Sequence, residues 1–172
     1  MILLTDQSIV CPFTINEELV SLSLDITSRH FENLEKHLAI YNWMQQNIKY
    51  DYDGMMRIDN NLPRPYKTSL ETFYTKTGNC AEMAFLYIVM ARSCSLDSRF
   101  VFVEVDFRGE KVCHACAVSL GKLIDPAYET FDINHKKYTV MNDLDASNIF
   151  SEMNERQGIP RSNQKVFIDK KY

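Results

Sequence analysis

Between Cys80 and Ala91 the chain carries one charged residue, Glu82, in an otherwise apolar run that closes on Phe85-Leu86-Tyr87-Ile88-Val89-Met90-Ala91. The run is far short of the ~20 residues a membrane-spanning helix needs. At helical length and apolar nearly all round, it predicts a helix buried on several sides. The remaining elements must therefore pack around it. Its start is signed in the sequence, because Asn79 can cap the first turn and Glu82, three residues on from it, completes a capping box. The hydrophobic period then changes from about 3.6 to 2. Phe100, Phe102 and Glu104 alternate with Val101, Val103 and Val105, so Arg99 to Phe107 predicts a strand. Arg108 to Lys111 predicts a turn, and Val112 to Leu120 a second, antiparallel strand. Gly121-Lys122 turns again into a short strand, Leu123 to Asp125, closed by Pro126.

Upstream, Ser28 to Ile48 reads as one long helix with Ser28 as its N-cap and Phe31, Leu34, Leu38, Tyr41 and Ile48 along one face. Tyr50 to Gly54 breaks that pattern, and Asn60 to Pro65 is loop chemistry. A short helix is expected from Ser69 to Lys76, ended by Gly78. Asn142 to Gln157 reads as a surface helix. Helices followed by an antiparallel meander predict an α+β fold, with helices packed on an antiparallel β-sheet and Cys80 at the N-terminus of the buried helix. At 172 residues one domain is expected, with its core at about 28–130 and additions at both ends. Chains of this size bury roughly 70% of their unfolded surface, enough to fold without disulfides or metal.

The net charge is -4 with no basic run, which argues against a nucleic-acid partner. Met1-Ile2-Leu3-Leu4 is followed at once by Asp6, so neither a secretory signal nor a membrane segment is expected, and the expected compartment is the cytoplasm. An odd count of five cysteines (Cys11, Cys80, Cys94, Cys113, Cys116) favours free thiols over a disulfide framework.

A thiol in the first turn of a helix faces unpaired N–H groups and the positive end of the helix dipole, which favour a thiolate. The same N–H groups could hold an oxyanion formed by attack on a carbonyl. Set against this, most free cysteines are small core residues. His114 lies within the second predicted strand and Asp125 ends the third, so a tight turn brings the two together. The carboxylate can then accept one imidazole N–H and leave the other nitrogen for the thiol. A strand histidine alone, or an Asp before Pro alone, is ordinarily structural; a helix-start Cys, a strand His and an Asp on the next strand together are far more specific.

Gly78-Asn79-Cys80-Ala81-Glu82-Met83-Ala84, then Cys113-His114-Ala115, then Ile124-Asp125-Pro126 resembles the transglutaminase-like superfamily, a circularly rearranged relative of the papain-like cysteine proteases. Tyr41 to Asp51, ending Ile48-Lys49-Tyr50-Asp51, is similar to the family's preceding helix and its Ile-x-Tyr-Asp ending. The likeness runs from about Tyr41 to Pro126. It implies Cys80 as nucleophile, His114 as general acid and base, and Asp125 as the orienting carboxylate. The implied reaction is acyl transfer through a thioester, without a cofactor, on a peptide or protein substrate. Hydrolysis of a peptide, isopeptide or carboxamide bond is the first expectation, with deamidation or amine transfer reachable from the same intermediate. The alternative is a catalytically silent scaffold or protein-binding module. Oxyanion candidates are Asn79, Tyr74 and the backbone N–H of Cys80. Where the family commonly has an aromatic residue two positions after the histidine, this chain has Cys116.

Cys113-His114-Ala115-Cys116 invites a zinc reading, but no second Cys-x-x-Cys exists, and residues three apart on a strand face opposite ways. Cys116, on the face of His114, could form an inhibitory disulfide with Cys80. Tyr50 to Gly54 lacks the ligand pattern of a calcium loop. His30 and His37 read as surface residues, and His135 as a loop residue without a chemical role.

Overall fold

The computed structural model describes residues 11–159; the readings of Met1 to Asp6 lie outside that range. Helix α5 (Cys80–Ser93) is the centre of the packing, with every residue from Ala81 to Ala91 buried. Its capping box forms as expected: Asn79 Oδ1 accepts the Glu82 N–H at 3.0 Å, and Glu82 accepts the Asn79 N–H at 2.9 Å. Phe85 lies with its ring 4.8 Å from that of Phe100 on β3 (Arg99–Val105), and 5.7 Å from that of Phe150 on α6 (Asp143–Arg156). Truncating such a buried ring to alanine typically costs about 3–5 kcal/mol.

Strands β3, β4 (Lys111–Ser119), β5 (Lys122–Ile124) and β6 (Lys137–Val140) form one antiparallel sheet in the order β5-β4-β3-β6. Phe100, Ala115, Ala117 and Ile124 join the core built around α5, and the small alanines leave room for the helix. Val101, Val103, Cys116, Leu123 and Ile133 form a second cluster. The architecture is thus the expected α+β arrangement of helices on an antiparallel sheet, to which β6 is an unforeseen addition.

The N-terminal half departs from the sequence reading. The helix expected from Ser28 is α2, which runs only from Asn33 to Asn47, and a helix absent from the sequence reading, α1 (Glu17–Thr27), capped by Asn16, precedes it. Ser28 closes α1 rather than opening α2. The buried face of α2 is His37, Ile40, Tyr41 and Met44, whereas Phe31 is 88% exposed and Leu34 and Leu38 are exposed. The inward stripe contains a histidine, which a hydrophobic count scores as polar. His37 is buried because both ring nitrogens are bonded: Tyr87 Oη is 2.7 Å from Nδ1, and Nε2 is 2.7 Å from Ser119 Oγ. Ser119 donates onward to the Asp97 carbonyl, so it accepts from His37 Nε2–H, and Nδ1 accepts from Tyr87.

The expected break after Ile48 holds two elements. Strand β1 (Lys49–Tyr50) is followed by α3 (Tyr52–Asp59), whose first turn is capped by Asp51 accepting the Gly54 N–H at 2.9 Å. Helix α4 (Ser69–Thr75) ends on Lys76 in the left-handed region (φ 55°), not on Gly78. Gly78 instead belongs to β2 (Thr77–Gly78), parallel to β1 with Tyr50 opposite Gly78. A Cβ at position 78 would come within 2.9 Å of the methyl of Thr72, itself fully buried. No helix among the described residues is long and apolar enough to cross a membrane.

Candidate active site

The strand pair β1–β2 delivers the chain to the start of α5. Asp51 N–H donates to the Gly78 carbonyl at 3.0 Å, which sets Tyr50 beside the Asn79-Cys80 step. Glu82, the one acidic residue on α5, is fully buried and answered from the loop before α4. Arg64 bonds both of its carboxylate oxygens and also Asp51, and the Lys67 N–H adds a bond of 2.8 Å. Burial works against the Arg64 charge, but Glu82 and Asp51 outweigh it and hold its pKa above the usual value. Removing one member of such a buried pair strands the other and typically costs about 3–5 kcal/mol.

Cys80 occupies the first position of α5, half-buried, and all five cysteines are free thiols. His114 lies on β4 opposite Val103, where the β3–β4 register shifts, a bulge of the kind that re-aims side chains at functional sites. Its Nε2 hydrogen-bonds Asp125 Oδ2, and its ring also interacts with the Cys80 thiol. The three residues read from the sequence therefore meet. Burial lowers the affinity of His114 for its second proton, yet the hydrogen bonds and charges of Asp125 and Cys80 raise its pKa to about 10.

Asp125 is fully buried at the end of β5. Its Oδ1 accepts the Ala127 N–H at 3.0 Å, and the following loop is tied to α2 by Gln45 donating to the Pro126 carbonyl at 2.7 Å. Burial pushes its pKa up, but the bonds from His114 and His135 prevail and hold it below the usual carboxylate range. His135 Nε2 stands 3.1 Å from Asp125 Oδ2 with a side chain wholly shielded from solvent. This corrects the reading of His135 as an idle loop residue. Nothing local marks it, because its burial comes from the 125–137 segment folding back onto β3, where Lys136 N–H donates to Val105 at 3.0 Å.

The oxyanion candidates fare differently. The oxygen of Asn79 is committed to capping α5. Tyr74 is 56% exposed, and its hydroxyl accepts from Asn16 at 2.6 Å and donates to Glu18 at 3.0 Å, on α1 rather than at the site. The residue that meets Cys80 is Tyr50. Its hydroxyl interacts with both the thiol and the backbone N–H of Cys80, and burial, then the charge of Cys80, push its pKa up. The Ile-x-Tyr-Asp ending held this tyrosine in view without revealing its contact.

Tyr128 packs edge-on to His114 with ring centres 5.5 Å apart. Cys116 is fully buried, and burial raises its pKa well above that of an ordinary thiol, which makes it a poor nucleophile. His114, Asp125 and His135 also present three ligand atoms within 4.8 Å of one another. Both Nε2 atoms are spent on Asp125, so a metal ion there would have to displace the hydrogen bonds that define the site.

A family model described as the transglutaminase-like superfamily matches residues 20–122, taking in Cys80 and His114 and beginning well upstream of Tyr41. No curated protein matches the chain significantly. Among solved structures, a candidate cysteine protease from Cytophaga hutchinsonii is similar at 18% identity and a TM-score of 0.54, over 78% of this chain and 50% of that one. A candidate protease from Parabacteroides distasonis is similar at 14% identity and a TM-score of 0.43, over 69% of this chain and 28% of that one. The first likeness is one of fold, and the chain spans about half the length of that structure. With the family model covering more than half of its residues, the chain belongs to the transglutaminase-like superfamily.

Proposed function

We propose that the chain is a cysteine-dependent acyl-transfer enzyme that hydrolyses a peptide, isopeptide or carboxamide bond. The observation that carries this reading is the Asp125–His114 hydrogen bond with the imidazole against a thiol in the first turn of α5. Cys80 Sγ attacks the carbonyl carbon, and the oxyanion takes hydrogen bonds from the Cys80 N–H and the Tyr50 hydroxyl. The C–N bond then breaks, the His114 proton passes to the departing amine, and a thioester remains on Cys80. Water attacks the thioester as His114 takes its proton, which releases the acid and returns the thiolate. An amine in place of water gives transfer instead. Asp125 fixes the imidazole throughout and keeps it charged when its proton is needed.

The test is brief alkylation with limiting iodoacetamide near pH 6, followed by peptide mapping. An ordinary thiol is ionised to only about one part in 300 at that pH. Cys80 is expected to label ahead of the exposed Cys113, and His114→Ala to lose roughly a hundredfold in rate, the scale of that ionisation difference. Equal labelling of Cys80 and Cys113, unaffected by the substitution, would favour a protein-binding module instead.

A further inference from the structure

Asp125 Oδ2 is shared by two histidines, and the catalytic cycle above uses only one of them. The His135 side chain is wholly shielded from solvent, with Nε2 3.1 Å from that oxygen and no hydrogen-bond partner for Nδ1 among the described residues. A carboxylate can only accept, so the proton must sit on Nε2. The ring is wedged edge-on against Tyr128 and His114, with Phe107 beside it, and it is anchored through the next residue by the Lys136–Val105 backbone bond. A histidine held in the core merely for its volume would have both nitrogens answered, as His37 does. Here one nitrogen is left bare while the other is aimed at the carboxylate. That is costly for the fold unless the bond to Asp125 is what the position is kept for.

We infer that His135 is a positioning residue for the proposed triad: its Nε2–H holds the buried Asp125 carboxylate ionised and turned toward His114. The inference rests on the triad reading and adds a fourth member to it. Three donors, from His114, His135 and Ala127, surround a carboxylate that water does not reach. With His135 gone, Oδ2 loses one of its two donors and desolvation favours the protonated acid. A neutral Asp125 no longer supports the His114 imidazolium. Tyr128 beside His135, and Tyr41 and Cys116 around Asp125, all have their pKa raised, by burial first and then by the Asp125 charge. They are neutral in the acid range where the effect appears.

The experiment compares the pH profile of Cys80 alkylation in the wild type, His135→Gln and His135→Asn. The glutamine amide can stand where Nε2 stands; the asparagine amide stops at the position of Nδ1. His135→Asn is expected to move the acid limb to higher pH and to slow labelling on that limb by about tenfold, the rate equivalent of one hydrogen bond to a charged group. His135→Gln should restore most of the wild-type profile. Equal profiles for the two variants, or no displacement in His135→Asn, would overturn the inference. Should either variant fail to fold, 15N NMR of the wild type decides: a protonated Nε2 is expected, and a bare Nε2 would refute the assignment. If wild-type Cys80 labels no faster than Cys113, the triad reading itself has failed, which the NMR result registers separately.

Discussion

His37 is a buried imidazole and His114 a largely shielded one, each held by polar partners, and they behave in opposite ways. His37 lies between a tyrosine and a serine hydroxyl, and burial alone lowers its pKa. It ties α2 to α5 and β4. His114 lies between a carboxylate and a thiol, and these partners overcome burial and raise its pKa to about 10. The depth of burial does not decide which way a histidine shifts. The charge its partners can carry does.

The largest expected effect erases the contrast. Asp125→Ala removes the charge that distinguishes the two environments. An opposite charge at hydrogen-bonding range is worth about 1–3 pKa units. Cys80 alkylation near pH 6 should therefore fall by tenfold or more, whereas His37→Leu should leave it within about twofold. A smaller effect sharpens the other side. His37→Leu leaves the Tyr87 hydroxyl only its long 3.4 Å bond to the residue-37 carbonyl and deprives Ser119 of a donor, and a loss of about 1–3 kcal/mol in urea unfolding is expected for such poorly satisfied groups.

A third effect is the pH dependence of stability, which runs in opposite directions at the two sites. His114 binds its proton more tightly folded than unfolded, so its contribution is complete below about pH 6.5 and drains away as pH rises through about 10. His37 binds its proton less tightly folded, so stability falls as pH drops below about 6.5 and the unfolded chain takes up the proton first. Urea midpoints across that range should lose their alkaline slope in His114→Ala and soften their acid slope in His37→Leu. The smallest effect lies outside both sites. Phe31→Ser should change stability by less than about 0.5 kcal/mol, because the ring is 88% exposed.

The sequence made the buried helix and the meander legible because both are written locally. Asn79 and Glu82 mark a helix start, and alternation from Arg99 marks a strand. Cys80, His114 and Asp125 were legible because two tight turns and one helix start leave little freedom in how they meet. The rest depends on contacts between segments far apart in the chain. Helix α2 was misread because its buried stripe includes His37, whose partners lie 50 and 82 residues away. His135 was missed for a different reason. Its partner is 10 residues back, across a loop with no periodicity to follow. Tyr50 was in view as part of a motif, but only the β1–β2 pairing lays it against Cys80.

The most direct test is a 15N NMR titration of the histidine side chains from pH 5 to pH 11. The account predicts that His114 is an imidazolium through neutral pH and gives up its proton near pH 10, while His37 takes up its second proton only below the usual imidazole range. A His114 that loses its proton near pH 6.5, as an ordinary imidazole does, would contradict it.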